Sequence, residues 1–192
     1  MPPDWRDTLG AVAGPSYPPV NCHREFVDVF DSALGWMAIV GQGGVLRMLT
    51  FGHRTPQAAR RATAVGGYPH GRPRPWHRSL AQRLQAYAAG RSTRLDDVSW
   101  DATGLSRFRC AVLAHCQRIP WGTTISYAQL AARAGYPHAA RAVGTVMAGN
   151  RTPLVVPCHR VIAATGGLGG YSAPQGIAMK RRLLQLEGIP IA

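Results

Sequence analysis

The residues most able to do chemistry lie together at Pro157-Cys158-His159-Arg160, where one thiol has an imidazole and a guanidinium as immediate neighbours. The thiolate is the nucleophilic form, and an unassisted thiol with a pKa of about 8.5 is only a few per cent ionised at neutral pH. A catalytic cysteine therefore needs a base or a cation close by, and His159 and Arg160 offer both. Sequence neighbours on an extended chain point to opposite faces, so His159 would have to reach Cys158 through a turn or a bridging water. The other cysteines, Cys22, Cys110 and Cys116, are irregularly spaced and form no disulfide framework, so all four are expected to be free thiols in a reducing compartment. A metal reading of Cys110, His115 and Cys116 fails for want of a second ligand pair, since a closed zinc site takes four ligands. Core packing is the alternative for Cys110 and Cys116, free cysteine being among the most buried residue types. Cys22-His23 is read the same way, and neither metal nor cofactor is expected.

The elements around this motif must position it. Leu154-Val155-Val156 reads as a buried strand running into Cys158, and Val161-Ile162 leads out into a glycine-rich loop. Upstream, Thr124-Ile125-Ser126 is a helix cap, followed by a helix from Tyr127 to Ala134 with Leu130 and Ala131 inward. The turn Gly135-Tyr136-Pro137 leads to a second helix, Ala139 to Ala148, stopped by Gly149-Asn150. Two short helices about a glycine-containing turn make a helix-turn-helix. The second helix carries Ala139, Ala140, Ala142 and Gly144 around a single large cation, Arg141. Small residues let a helix approach a nucleic-acid groove closely while one Arg intrudes, although a tightly packed internal helix would look the same. Before this pair a helix begins near Gly104, with Phe108, Val112, Cys116 and Ile119 roughly on one face, and ends at Pro120-Trp121-Gly122.

In the amino-terminal half, Glu25 to Phe30, Gly35 to Val40 and Val45 to Phe51 are short apolar runs joined by turns, an antiparallel meander. Ala64 to Pro75 reads as a loop, and Trp76 to Ala89 as a helix with Leu80, Leu84 and Tyr87 on one side. The expected fold class is α+β: a small antiparallel sheet with a helix in residues 23–102, then a mostly helical, winged-helix-like helix-turn-helix domain in residues 103–192. Residues 1–22, rich in Pro and Gly, read as a poorly ordered tail.

The 192-residue chain is 46% apolar and carries a net charge of +13, concentrated as +8 over residues 51–91 and +9 over residues 107–192. Such a balance points to a polyanionic partner, nucleic acid ahead of an anionic membrane, or else to solvated surface. No apolar run approaches the ~18 residues of a membrane span, and the amino terminus lacks a secretory pattern, so a cytoplasmic protein is expected.

Pro157-Cys158-His159-Arg160-Val161, with Asn150 before it and Gly169-Gly170-Tyr171-Ser172 after it, closely resembles the active-site signature of the O6-alkylguanine-DNA alkyltransferases, the methylated-DNA–protein-cysteine methyltransferases. Ile119-Pro120-Trp121-Gly122, Ser126-Tyr127 and Ala139-Ala140-Arg141-Ala142-Val143-Gly144 resemble further blocks of the same family in the same order. The resemblance is close over about residues 104–188 and only architectural before that.

That resemblance implies DNA repair by stoichiometric, irreversible transfer of an alkyl group from O6-alkylguanine to Cys158, by a monomer acting on double-stranded DNA with no membrane partner. O4-alkylthymine as a substrate is left open. His159 would remove the thiol proton through a bridging water, and Glu187 would hold the imidazole in the right tautomer. Taken without the family, Glu187 reads as a helix-surface ion pair beside Lys180, Arg181 and Arg182. Tyr127 would donate to guanine N3 and crowd the 3′ phosphate, and Arg141 would fill the gap left by the extruded base. Extrusion is required because a paired guanine cannot present its alkyl carbon in line with a protein thiol. The carbonyls of Cys158 and Val161 would meet the guanine amino group, and the Ser172 amide O6. Pro153, Tyr171 and Met147 would line the substrate pocket, and Asn150 would brace the turn between recognition helix and active site. Tyr127 and Tyr171 read equally well as core aromatics. The segment from Ser172 to Ile177 is longer than in the shorter family members, which leaves alkyl preference open. A lesion-binding sensor without transfer is the alternative, and Cys158 argues against it. A repair-gene regulator would need a further metal-binding module, and a hydrolytic cysteine enzyme would regenerate its thiol.

Overall fold

The computed structural model describes residues 25–190; the expectations for the 1–22 tail and for Cys22-His23 lie outside the described residues. Three expected strands form: β1 (Phe26–Phe30), β2 (Trp36–Gln42) and β3 (Val45–His53), an antiparallel meander. A two-residue strand, β4 (Arg72–Pro73), joins β1 in parallel at the edge and completes the order β3-β2-β1-β4. β4 lies inside the segment read as a loop; Pro73 lacks an N–H, which confines it to an edge.

Helix α1 (Pro56–Val65) was not foreseen. It has no large apolar stripe and buries only Ala59 and Thr63, but Thr55 caps it by accepting from Ala58 N and Pro56 occupies its first turn. Helix α2 (Arg78–Ala88) buries Leu80, Leu84 and Tyr87 as the spacing predicts. These elements enclose a core of Met37, Ile39, Leu46, Phe51 and Tyr87, which Leu154, Val155, Met179 and Leu183 of the carboxy-terminal half also enter.

Helix α3 (Arg107–Gln117) starts at the Ser106 cap and buries Val112 and Cys116, while Cys110 is half-buried. The short strand β5 (Ile125–Ser126) runs into helix α4 (Tyr127–Arg133), where Ser126 and Gln129 form a reciprocal capping box. A turn through Gly135, at φ +83°, leads to α5 (Ala140–Ala148). Val112, Cys116, Leu130, Val143, Val146 and Val156 close a second core.

Leu154-Val155-Val156 is buried as expected but is a turn, not a strand. Leu154 has φ +70°, and Val156 N donates back to Thr152 O at 2.9 Å. Tertiary packing of these side chains into both cores overrides their β propensity. The chain then makes a 3-10 turn (Cys158–Arg160), strand β6 (Val161–Ile162) paired in parallel with β5, and helix α6 (Ile177–Leu186).

Candidate active site

Two local features bring Cys158 to its neighbours. Pairing of Ile125 with Val161 and of Ser126 with Ile162 fixes the first residue of α4, Tyr127, beside the strand that leaves Cys158. Asn150, just past α5, ties the preceding turn together: its Nδ2 donates to Val156 O at 2.8 Å, and its Oδ1 accepts from Thr152 N at 3.0 Å. The helix that carries Arg141 and the thiol are thus joined by one braced turn.

The 3-10 turn answers how Cys158 and His159 can be neighbours with different tasks. Three residues per turn fan successive side chains about a third of a circle apart, so Cys158 faces a cavity while His159 and Arg160 turn into the interior. His159 and Glu187 have side chains at 0% exposure and meet at 2.8 Å between Nε2 and Oε1. Glu187 is therefore buried at the end of α6 and not a surface ion pair with Lys180, Arg181 or Arg182. Its carboxylate also accepts from the Tyr87 hydroxyl at 2.6 Å, from Arg160 Nε and Nη2, each at 2.9 Å, and from Gly122 N at 3.2 Å. Burial works to raise the Glu187 pKa, but hydrogen bonds from His159 and Arg160 outweigh it and hold the carboxyl at about 2.

This geometry fixes the imidazole tautomer. Nε2 faces an ionised carboxylate and must carry the proton, which leaves Nδ1 as a bare lone pair. Burial lowers the His159 pKa more than Glu187 raises it, so the ring is neutral at rest. Nδ1 is buried and has no hydrogen-bond partner among the described residues. A neutral ring with its acceptor nitrogen unengaged and its donor nitrogen anchored is the resting state of a general base.

Cys158 is 6% exposed. Burial pushes its thiol up, while the nearby polar side chains of Asn150 and Tyr171 and the charge of Lys180 pull the other way. The resting group is a protected thiol, to be ionised when the base engages. Arg160, expected to assist the thiol directly, instead spends its guanidinium on Glu187 and on Ile119 O at 2.5 Å.

Two adjoining cavities open onto Cys158 and share Ala148, Tyr171 and Ser172. One, of about 370 Å³, lies on the α5 side and is also lined by Tyr127, Gly144, Met147 and Gly170. The other, of about 290 Å³, runs past Asn150 and Pro153 toward β3. Tyr127 is half-buried and packs against Gly169, whose φ is +67° and where a Cβ would lie 2.9 Å from the Tyr127 hydroxyl. The Tyr171 ring is partly exposed, but its hydroxyl is buried. Arg141 and Ala142 are exposed on α5, Ala139 and Ala140 partly so, and a Cβ added at Gly144 would lie 4.0 Å from the Tyr127 ring. Val161 is fully buried and lines neither cavity; its carbonyl accepts from Lys180 Nζ at 2.6 Å.

Sequence reasoning missed the roles of three residues that it named for other reasons. Tyr87 bridges Glu187 and His159 from α2, one hundred residues away from Glu187 in the chain. Arg160 neutralises Glu187. Lys180, at 0% exposure, clamps the carbonyls of Val161, just before the glycine-rich loop, and Leu168, in the middle of it, at 2.6 and 2.5 Å. Burial lowers its pKa to about 8. A lysine at an inward position of α6, in phase with Leu183 and Leu184, was the available signal for it. Among the described residues no group of three His, Cys, Asp or Glu side chains is arranged to hold a metal, and no helix is long and apolar enough to cross a membrane.

Residues 107–189 match the family described as 6-O-methylguanine DNA methyltransferase, DNA binding domain. A methylated-DNA–protein-cysteine methyltransferase of Mycobacterium tuberculosis is 40% identical over 158 residues, 82% of this chain and 88% of the relative. The mouse protein of the same name is 38% identical over 180 residues, covering 88% and 84%. Among solved structures, the M. tuberculosis OGT in complex with DNA superposes with a TM-score of 0.70 at 37% identity, over 84% of this chain and 92% of that one. The mixed α+β fold is the same. With a shared fold and this degree of identity along most of both chains, the protein belongs to the methylated-DNA–protein-cysteine methyltransferase family.

Proposed function

We propose that this protein repairs DNA by moving the alkyl group of O6-alkylguanine onto its own Cys158, once per molecule. The observation that carries this reading is the buried thiol at the junction of two cavities, beside a histidine whose tautomer a saturated carboxylate dictates. His159 Nδ1 takes the thiol proton through a bridging water, and the imidazolium so formed is stabilised by Glu187. The Cys158 sulfur attacks the alkyl carbon, the carbon–O6 bond breaks, and guanine leaves as Tyr127 or a water protonates it. A thioether is a poor leaving group, so the protein ends inactive.

The arrangement of α4, the Gly135 turn and α5 supports a winged-helix-like reader whose second helix enters a groove of duplex DNA. Ala139, Ala140, Ala142 and Gly144 let its backbone approach, and exposed Arg141 takes the place of the extruded nucleotide. The flipped guanine occupies the cavity lined by Tyr127, Gly144 and Met147, with Pro153, Tyr171 and the Ser172 amide around O6 and its alkyl group, and the carbonyl of Cys158 near its amino group; the Val161 carbonyl, held by Lys180 outside both cavities, does not share that task. Asn150 holds reader and thiol in register. We assign residues 23–102 to a structural unit and 103–192 to the reacting unit, working as a monomer in the cytoplasm.

The test is base analysis of a duplex carrying one O6-methylguanine after incubation with limiting protein. The lesion should convert to guanine mole for mole with protein and then stop. Continued turnover would point to a hydrolase, and tight binding without conversion to a sensor.

A further inference from the structure

Tyr87 is a fully buried titratable group that the transfer steps do not use. It reaches the site from α2, in the half assigned to structure, and it is the only side chain of residues 25–102 that hydrogen-bonds to His159 or Glu187 among the described residues. Its ring stands edge-on to Trp121, 5.0 Å between centroids. Nε2 of His159 already carries a proton, so the hydroxyl has one place for its own. It donates to Glu187 Oε1 at 2.6 Å and leaves its lone pairs facing the Nε2–H at 3.1 Å. Burial first, then the charge of Glu187, holds the phenol well above its ordinary pKa, so this donor keeps its proton.

Resting on the alkyl-transfer reading, we propose that Tyr87 is a positioning residue of the transfer: its hydroxyl holds the His159 ring with Nδ1 free for the thiol proton and restrains the pull of Glu187 on that ring. The amino-terminal half is then a participant in the chemistry. Both parts follow from counting donors. The Nε2–H lies between two acceptors, Glu187 Oε1 at 2.8 Å and the Tyr87 hydroxyl at 3.1 Å. A half-turn of the imidazole would put a carbon in that place, forfeit both contacts and carry Nδ1 away. Glu187 Oε1 in turn divides its charge among the Nε2–H, Arg160 Nη2 and the phenol, whose contact is the shortest of the three. Arg160, on the same turn as His159, and Lys180 of α6 are cations that oppose protonation of the ring, so protonation rests on Glu187. Tyr87 governs how much of that charge the ring receives. A ring that received all of it would sit protonated at rest and could not act as a base.

The experiment follows single-turnover transfer from an O6-methylguanine duplex against pH for the wild type, for Tyr87→Phe, and for a protein with Tyr87 replaced by fluorotyrosine, whose hydroxyl is a stronger donor. Tyr87→Phe keeps the ring against Trp121 and touches neither α4 nor α5, so its duplex affinity should match the wild type. Its plateau rate should fall about tenfold, the low end for losing a hydrogen bond to a charged group. Its acid limb should move to higher pH, because more of the Glu187 charge reaches the ring. Fluorotyrosine should move that limb to lower pH while preserving the packing, and it decides the question if Tyr87→Phe does not fold. A folded Tyr87→Phe protein with a plateau within about twofold of the wild type, or limbs that do not move in these directions, would overturn the proposal; a role in packing alone shifts the unfolding midpoint and leaves rate and limb in place. A wild type that transfers no methyl would instead sink the underlying assignment of function.

Discussion

Replacing Glu187 by Gln keeps the side-chain volume and deletes its charge. In the native protein the carboxylate accepts from His159, Tyr87, Arg160 and Gly122, so an amide at this position sets its own N–H groups against donors. It also strands the Arg160 guanidinium, 7% exposed, without a countercharge. Removing one partner of a buried ion pair costs about 3–5 kcal/mol. With a urea dependence of about 2 kcal/mol/M, the unfolding midpoint should fall by about 1.5–2.5 M, followed by tryptophan fluorescence. Adding Arg160→Met removes the stranded charge, and an apolar replacement of a buried pair is often close to neutral. The double variant should thus recover part of the loss, with a coupling of about 2 kcal/mol or more in the cycle. A strictly additive cycle, or a midpoint shift in Glu187→Gln below about 0.5 M, would refute the view that this carboxylate is held by charge. Where the variant remains folded, its transfer rate should fall about 100-fold or more, because the amide lets the ring adopt the tautomer with hydrogen on Nδ1.

Further outcomes follow from the same geometry. Gly169→Ala places a Cβ 2.9 Å from the Tyr127 hydroxyl at φ +67°, and should lower stability by about 1–2 kcal/mol in urea unfolding while slowing transfer. Lys180 has a folded pKa of about 8 against 10.5, so the folded state sheds that proton first; stability of the wild type relative to Lys180→Met should rise between about pH 8 and 10.5, and a flat difference would contradict the buried clamp. Arg141→Ala should slow transfer from duplex DNA by about tenfold or more and hardly affect a single-stranded substrate, where no stack needs filling; equal losses in rapid-quench assays would argue against that role.

Elements with a strong local pattern were legible in the sequence. β1, β2 and β3 alternate or run apolar between turns, and α2, α4 and α5 carry caps, breakers or periodic apolar residues. Helix α1 was not, because Ala59 and Thr63 give it no large buried side chain to reveal a period. Leu154-Val155-Val156 misled in the opposite sense: three large apolar residues look like a strand, but Leu154 at φ +70° and the Asn150 brackets fold them into a turn. At the site, Cys158, His159, Tyr127 and Arg141 stand in motifs that a linear reading finds. Tyr87, Arg160 and Lys180 act through contacts spanning 72, 27 and 19 residues, to His159, Glu187 and Val161 respectively, which no local pattern encodes.

The most direct measurement is intact-mass spectrometry with peptide mapping after mixing the protein with a duplex containing one O6-methylguanine, alongside Cys158→Ala. A gain of one methylene, confined to Cys158, limited to one per molecule and absent from the variant, is the predicted result. A methylene found on Cys110 or Cys116, or an unmodified protein after the lesion has disappeared, would contradict the account.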